Sequence, residues 1–312
     1  MPKKPRSFEQ GLTLIEMMVA MVLGIAVVGT IMAVTITSVT TSTTNLRNIR
    51  LNEELRAVMS TITRDLKRAG HWGLAENAVA AASVSGLTLD GTSGNITITG
   101  TDDIFEPFED AIVAGTPLML LHVYRDSSAT KLVAANITGY TNATEISATV
   151  DGTVGDGVFP ETSLEKNSWT ILGPFNDTIT LGDTDGDATT SECVLFEFDA
   201  NNDGILNAGD EEFGFRLNNG AVTVRQGGTA CDGGGWEALS DGSAINITRL
   251  SFIGPAPGDS TDPEVVTGVG NPLQVGVREI TVTLSGQLLV DPTVTTTISE
   301  TVKVRNDRVI GP

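Results

Sequence analysis

The chain has 312 residues, enough to bury a sizeable core, and its 19 Lys and Arg against 39 Asp and Glu give a formal net charge of −20. So acidic a surface repels phosphate backbones and anionic bilayers, which argues against nucleic-acid binding along the body, because phosphate contact relies on clustered Lys and Arg. With two histidines, two cysteines and no CxxC pair, the chain offers no histidine-based metal or catalytic cluster and no redox or zinc motif.

The first residues are cationic, with Lys3, Lys4 and Arg6. They lead into Gly11-Leu12-Thr13-Leu14-Ile15-Glu16 and then into an uncharged run over 17–46, 30 residues long. A bilayer core needs only about 20 helical residues, so this run can span a membrane with helix to spare. The basic flank places the N-terminus inside. A secretory signal would have a shorter apolar core with a small-residue site after it. A plain anchor accounts for the length and the flank but not for Glu16, since an acid in hydrocarbon costs roughly 2.5 to 3.5 kcal/mol.

Residues 11–16 resemble the class III signal of type IV prepilins and type II secretion pseudopilins. The resemblance implies that a membrane-embedded prepilin peptidase cuts after Gly11 and N-methylates Leu12. It also implies that Glu16, then the fifth mature residue, pairs with the free N-terminal amine of a neighbouring subunit as helices bundle, each charge offsetting the desolvation of the other. Losing Lys3, Lys4, Arg6 and Glu9 with a leader of residues 1–11 would take the net charge from −20 to −22.

From Asn45 the helical pattern turns amphipathic. Leu51, Leu55, Val58, Met59, Ile62 and Leu66 recur at spacings of three and four, with charged residues between them. The pattern predicts one helix over 12–70, stopped at Gly70, with 12–38 in the membrane and later in a filament core. Gly24, Gly29 and the threonines over 35–44 weaken its propensity locally. The segment Arg64-Asp65-Leu66-Lys67-Arg68-Ala69-Gly70-His71-Trp72-Gly73 resembles the helix end of PilW-like minor pilins. The C-terminal Arg305-Asn306-Asp307-Arg308 resembles the C-terminus of the same group. His71 and Trp72 read as packing and capping residues.

The remainder, 71–312, reads as a β-rich extracytoplasmic head. Short alternating stretches over 84–158 are separated by turns such as Asp151-Gly152 and Asp156-Gly157. Cys193 and Cys231, an even count outside the cytoplasm, point to one disulfide, with two free buried thiols as the alternative. A hairpin turns at Asn219-Gly220, and strands follow over 245–253, 274–284 and 293–304, with a loop over 254–272.

The most chemical stretch is 183–212. Asp199, Asn201, Asp203, Asn207 and Asp210 occupy positions 1, 3, 5, 9 and 12 of an EF-hand-type loop, with Gly204 at 6 and the carbonyl of Ile205 at 7. Asn at 9 and Asp at 12 resemble the dockerin type. The flanks are strand-like, so the reading is a calcium loop inserted in a β-hairpin; a solvated Asp/Asn/Gly turn is the alternative. Asp183, Asp185 and Asp187 form a weaker second acidic loop without the glycine.

These readings predict an α+β fold: a long N-terminal helix, transmembrane then amphipathic, packed on an antiparallel β-rich head in a pilin-like lollipop. The resemblance implies a minor pilin of a type IV pilus that helps to initiate, cap or assemble the fibre. The chain would sit in the inner membrane, N-terminus in, before assembly and at the cell surface after it. Its partners would be prepilin peptidase, other minor pilins and the major pilin, and calcium would be structural. A minor pseudopilin of a type II secretion system and a pilus-borne adhesin-like module are the alternatives. An enzyme is not expected, because no nucleophile and base pair or open metal site is visible.

Overall fold

The computed structural model of the chain describes residues 13–77, 79–80, 88–90, 94–100, 103–125, 130–150, 168–176, 179–183, 191–228, 230–254, 264–267, 274–306 and 308–310. The turns expected at 151–152 and 156–157 lie outside these residues. The stretch 254–272, expected as a loop, contains the strand Glu264–Thr267, whose Val265 and Val266 suit a β-ladder, and the rest of it apart from Gly254 lies outside the described residues. The fold is α+β, with a 53-residue helix, Leu14–Leu66, followed by antiparallel sheets. Two compact units divide it, Met1–Arg50 and Leu51–Pro312, so the boundary falls within the helix.

In the first unit the helix opens at Leu14. The Glu16 N–H donates to the Thr13 carbonyl at 3.1 Å and to Thr13 Oγ1 at 3.3 Å, which makes Thr13 the N-cap and Glu16 the third helical residue. A carboxylate there faces the positive end of the helix dipole. Every described side chain from Thr13 to Arg47 is exposed, about half of them large and apolar. The helix runs unbroken through Gly24, Gly29 and the threonine-rich stretch. It is long and apolar enough to cross a membrane. Hydroxyls in hydrocarbon need partners, and the helix supplies its own: Thr30 donates to the Val27 carbonyl, Thr35 to Ile31, Thr37 to Ala33, and Thr41 to Thr37.

In the second unit Leu51, Leu55, Val58, Met59, Ile62 and Leu66 are all buried, whereas Glu53, Arg56, Ser60, Arg64 and Arg68 stay exposed. The apolar stripe read from the sequence is therefore the packing face, each residue contributing about 1.5 to 3 kcal/mol by burial. It meets Val194, Phe196 and Phe215 from one sheet and Ile247, Phe252, Ile280 and Val282 from another in a single core.

The first of these sheets has five antiparallel strands, ordered Glu237–Ala238, Ala221–Gln226, Glu212–Asn218, Cys193–Glu197 and Ile179–Gly182. Asn219 and Gly220, with φ of 48° and 78°, join two of them in the tight turn that this pair favours. The second is organised on the 15-residue strand Gln274–Leu288, which pairs with Ile245–Ile253, Glu264–Thr267, Thr295–Lys303 and Arg308–Ile310. A third, seven-stranded sheet is built from strands between Val79 and Leu172. It carries a separate core around Phe105, Phe108, Leu120 and Ile171, which also includes Trp72.

Candidate functional site

Two regions carry the residues singled out in the sequence. At the N-terminus, Gly11 and Leu12 lie outside the described residues. Glu16 is exposed on the apolar helix, and among the described residues its carboxylate makes no ion pair. It is the single charged residue over 13–46.

The second region is where the helix leaves the core. Gly70, at φ 73°, ends the last turn, and its N–H donates to the Glu197 carbonyl at 2.8 Å. The Asn306 side-chain amide donates to the Ala69 carbonyl at 3.2 Å, and the Arg305 N–H to the Lys67 carbonyl at 3.3 Å. The two motifs that carry the PilW-like resemblance, at the helix exit and at the C-terminus, thus meet in space, each supplying groups that the other leaves unpaired.

Immediately beyond Gly70 the chain is pinned to the loop over 199–210. The Asp199 N–H donates to the His71 carbonyl at 2.9 Å, and the Trp72 indole N–H to the Gly204 carbonyl at 3.1 Å. His71 Nε2 pairs with Asn202 Oδ1 at 2.9 Å, holding a residue whose φ is 60°. Gly204 is at φ 78°, and a Cβ there would lie 2.4 Å from Leu74 Cδ1, so turn and close approach both require glycine. Ile205 and Leu206 pack with Trp72 and Leu74 against the core of the seven-stranded sheet. Trp72 therefore packs as the sequence suggested, its ring centroid 5.8 Å from that of Phe108.

Within the loop, Asp199, Asp203 and Glu211 each offer one carboxylate oxygen to a group lying within 4.8 Å. Asp199 and Glu211 are buried, at 0% and 1% exposure, and Asp203 is exposed. Two buried unit charges so close repel by on the order of 3 kcal/mol at an effective dielectric of about 20. Backbone N–H groups offset part of this. Glu211 Oε1 accepts from Ala200 at 2.9 Å and Oε2 from Asn207 at 2.8 Å. Asp199 Oδ2 accepts from Gly73 at 2.8 Å and from Gly204 at 2.9 Å, while Asp199 Oδ1 is buried without a hydrogen-bond partner. Among the described residues no Lys or Arg pairs with any of the three.

The other loop residues are placed as follows. Asn201 and Asp203 bond to each other, the Asp203 N–H donating to Asn201 Oδ1 at 3.0 Å. Asn207 Nδ2 donates to the Ile205 carbonyl at 3.3 Å. Asp210 is exposed and is not part of the cluster; the structure brings in Glu211 instead. The reason is the β-ladder. The Phe198 N–H donates to the Glu211 carbonyl at 3.2 Å, extending the pairing of Glu212 with Glu197 and turning the Glu211 side chain over the loop. Spacing alone did not single out Glu211; the strand-like run that begins just after it was the available signal. Of the second acidic loop only Asp183 is described, and Asp185 and Asp187 are not.

Cys193 and Cys231 form a disulfide across 38 residues. Cys193 opens the strand Cys193–Glu197 and Asp199 lies just past its other end, so the disulfide and the acidic cluster brace opposite ends of one five-residue strand.

An apolar N-terminal helix followed by antiparallel sheets in an α+β fold is the architecture of a pilin-like class of protein. Residues 138–304 match the family described as Prepilin peptidase-dependent protein B, and the chain belongs to that family. It is also similar to Prepilin peptidase-dependent protein B of Escherichia coli (strain K12), at 33% identity over 66 residues, 20% of this chain. The match spans about a third, 35%, of that protein's length. No solved structure matches the chain.

Proposed function

We propose that this chain is a minor pilin of a type IV pilus, held in the inner membrane by its N-terminal helix until prepilin peptidase cuts after Gly11 and methylates Leu12. The observation that carries the reading is the helix Leu14–Leu66: uncharged and exposed in its first part except for Glu16, and buried in the head core in its second. Such a helix suits lipid before assembly and other helices of its kind afterwards. Membership of a prepilin peptidase-dependent family supports processing, and the meeting of the two PilW-like motifs at Ala69 and Asn306 supports that finer likeness. Glu16 then serves a neighbour's N-terminal amine rather than any partner within its own chain. The role is structural, in a low-stoichiometry complex with other minor pilins and the major pilin.

The test is to shear surface filaments from a deletion strain and its complement and to probe both for the major pilin and for this chain. Loss of fibres, restored by trace amounts of this subunit, is the expected outcome. Normal fibres with a secretion defect would move the reading to a type II pseudopilin. Normal fibres with only lost attachment would favour an adhesin-like module.

A further inference from the structure

The acidic cluster is placed differently from an ordinary solvated turn. Asp199 is fully buried, and its two oxygens are treated unequally: Oδ2 takes the N–H groups of Gly73 and Gly204, and Oδ1 has no partner. A buried carboxylate oxygen left unpaired is costly, and the loss is not one a folded chain accepts without a compensating group. One carboxylate oxygen each of Asp199, Asp203 and the buried Glu211 lie within 4.8 Å of one another. Asp203 Oδ1 accepts from the Ile205 N–H and Oδ2 from Asn201 Nδ2, both at 2.8 Å. Each Glu211 oxygen spends one acceptor site on a backbone N–H and keeps another free, since an ionised carboxylate offers about four lone-pair sites.

We propose that Asp199 Oδ1, Asp203 and Glu211 bind one hard divalent cation, calcium, and that this ion fastens the helix exit to the head. Three carboxylates without nitrogen or sulfur donors select a hard ion. The loop is irregular, its side chains come from residues 199, 203 and 211, and Asn201 and the Ile205 carbonyl lie in the same turn. Calcium, with six to eight oxygens in flexible geometry, suits such a set better than magnesium, which demands a near-ideal octahedron. The same Asp199 that would hold the ion also holds Gly73, and the loop holds Trp72 and His71, so ion binding and the docking of 70–74 are one event. The site links the two hydrophobic cores, because Trp72, Ile205 and Leu206 belong to that of the seven-stranded sheet while Phe198 and Ala69 belong to the other. The inference is independent of whether the chain serves a pilus or a secretion system.

The test uses the full chain purified in detergent micelles, freed of metal, and titrated with calcium or magnesium while thermal unfolding and trypsin cleavage are followed. Calcium at about a hundredfold above its Kd is expected to raise Tm by roughly 5 to 10 °C. It should also slow cleavage at Arg64, Lys67 and Arg68, and a Kd of about 10⁻⁶ to 10⁻³ M is expected. Asp203→Ala, at an exposed position, and Glu211→Gln should each weaken calcium binding at least tenfold, while Asp210→Asn should leave it within twofold. Unchanged Tm and cleavage up to millimolar calcium would overturn the proposal, as would an Asp203→Ala chain that responds fully. A response lost in Asp210→Asn but kept in Glu211→Gln would overturn the ligand assignment. A magnesium response equal to that of calcium would overturn the choice of ion.

Discussion

The Gly73 N–H donates to Asp199 Oδ2 at 2.8 Å, joining the helix exit to the acidic loop across 126 residues of chain. A Cβ at Gly73 would stand 2.8 Å from Asn202 Cα and 2.9 Å from Asp199 Oδ2, leaving backbone to move rather than a flexible side chain. Gly73→Ala is therefore expected to destabilise the head by about 1 to 3 kcal/mol. Gly209→Ala, in the same loop with nothing within 4 Å of its Cβ, should change stability by less than about 0.5 kcal/mol. Urea unfolding of both variants in micelles checks the pair, and equal effects would contradict the contact.

Leu55 is fully buried, and its Cδ2 would lie 3.1 Å from a Cβ at Gly286. Leu55→Ala should cost about 2 to 5 kcal/mol, with the denaturant slope unchanged. The exposed Leu46→Ala should leave head stability unaltered. A small effect at Leu55 would mean that the second part of the helix is not part of the core.

The Cys193–Cys231 disulfide closes a loop of 38 residues, which contributes about 4 kcal/mol in the chain-entropy view. The double Cys→Ser chain should melt well below the oxidised protein, and a thiol reductant should lower Tm of the natural chain without moving that of the double variant. Gly182 supplies an independent check. A Cβ there would meet Cys231 Sγ at 2.5 Å, so Gly182→Ala should destabilise the oxidised chain more than the double Cys→Ser chain. Additive effects would contradict the close packing of the bridge on the strand Ile179–Gly182.

Much of the architecture was legible because it is written in local spacing. The buried face from Leu51 to Leu66 follows a 3.6-residue period, the Asn219-Gly220 turn needs only two residues, and the strand Ile245–Ile253 coincides with its apolar run. What was not legible depends on long-range pairing. The bond from Asn306 to Ala69 spans 237 residues, and the presence of Glu211 rather than Asp210 in the cluster follows from the ladder between Phe198 and Glu211. Thr13 as a helix cap was readable from Thr13-x-x-Glu16 but was masked by the more evident reading of Glu16 as a charge in an apolar run.

Glu16 separates insertion from assembly. Removing a charge from an apolar helix makes membrane insertion more favourable, by roughly 2.5 to 3.5 kcal/mol on insertion scales. Glu16→Ala should therefore fractionate with the inner membrane as the natural chain does, while failing to co-purify with other subunits or to restore fibres. A Glu16→Ala chain lost from the membrane would contradict the assigned role.

The most direct measurement is the intact mass of the chain recovered from membranes of cells with and without an active prepilin peptidase. With the peptidase, the mass should correspond to a chain beginning at Leu12 and heavier by one methyl group; without it, or with Gly11→Ala, the leader should remain. A chain of identical mass in both cells, or a Gly11→Ala chain processed like the natural one, would contradict the account.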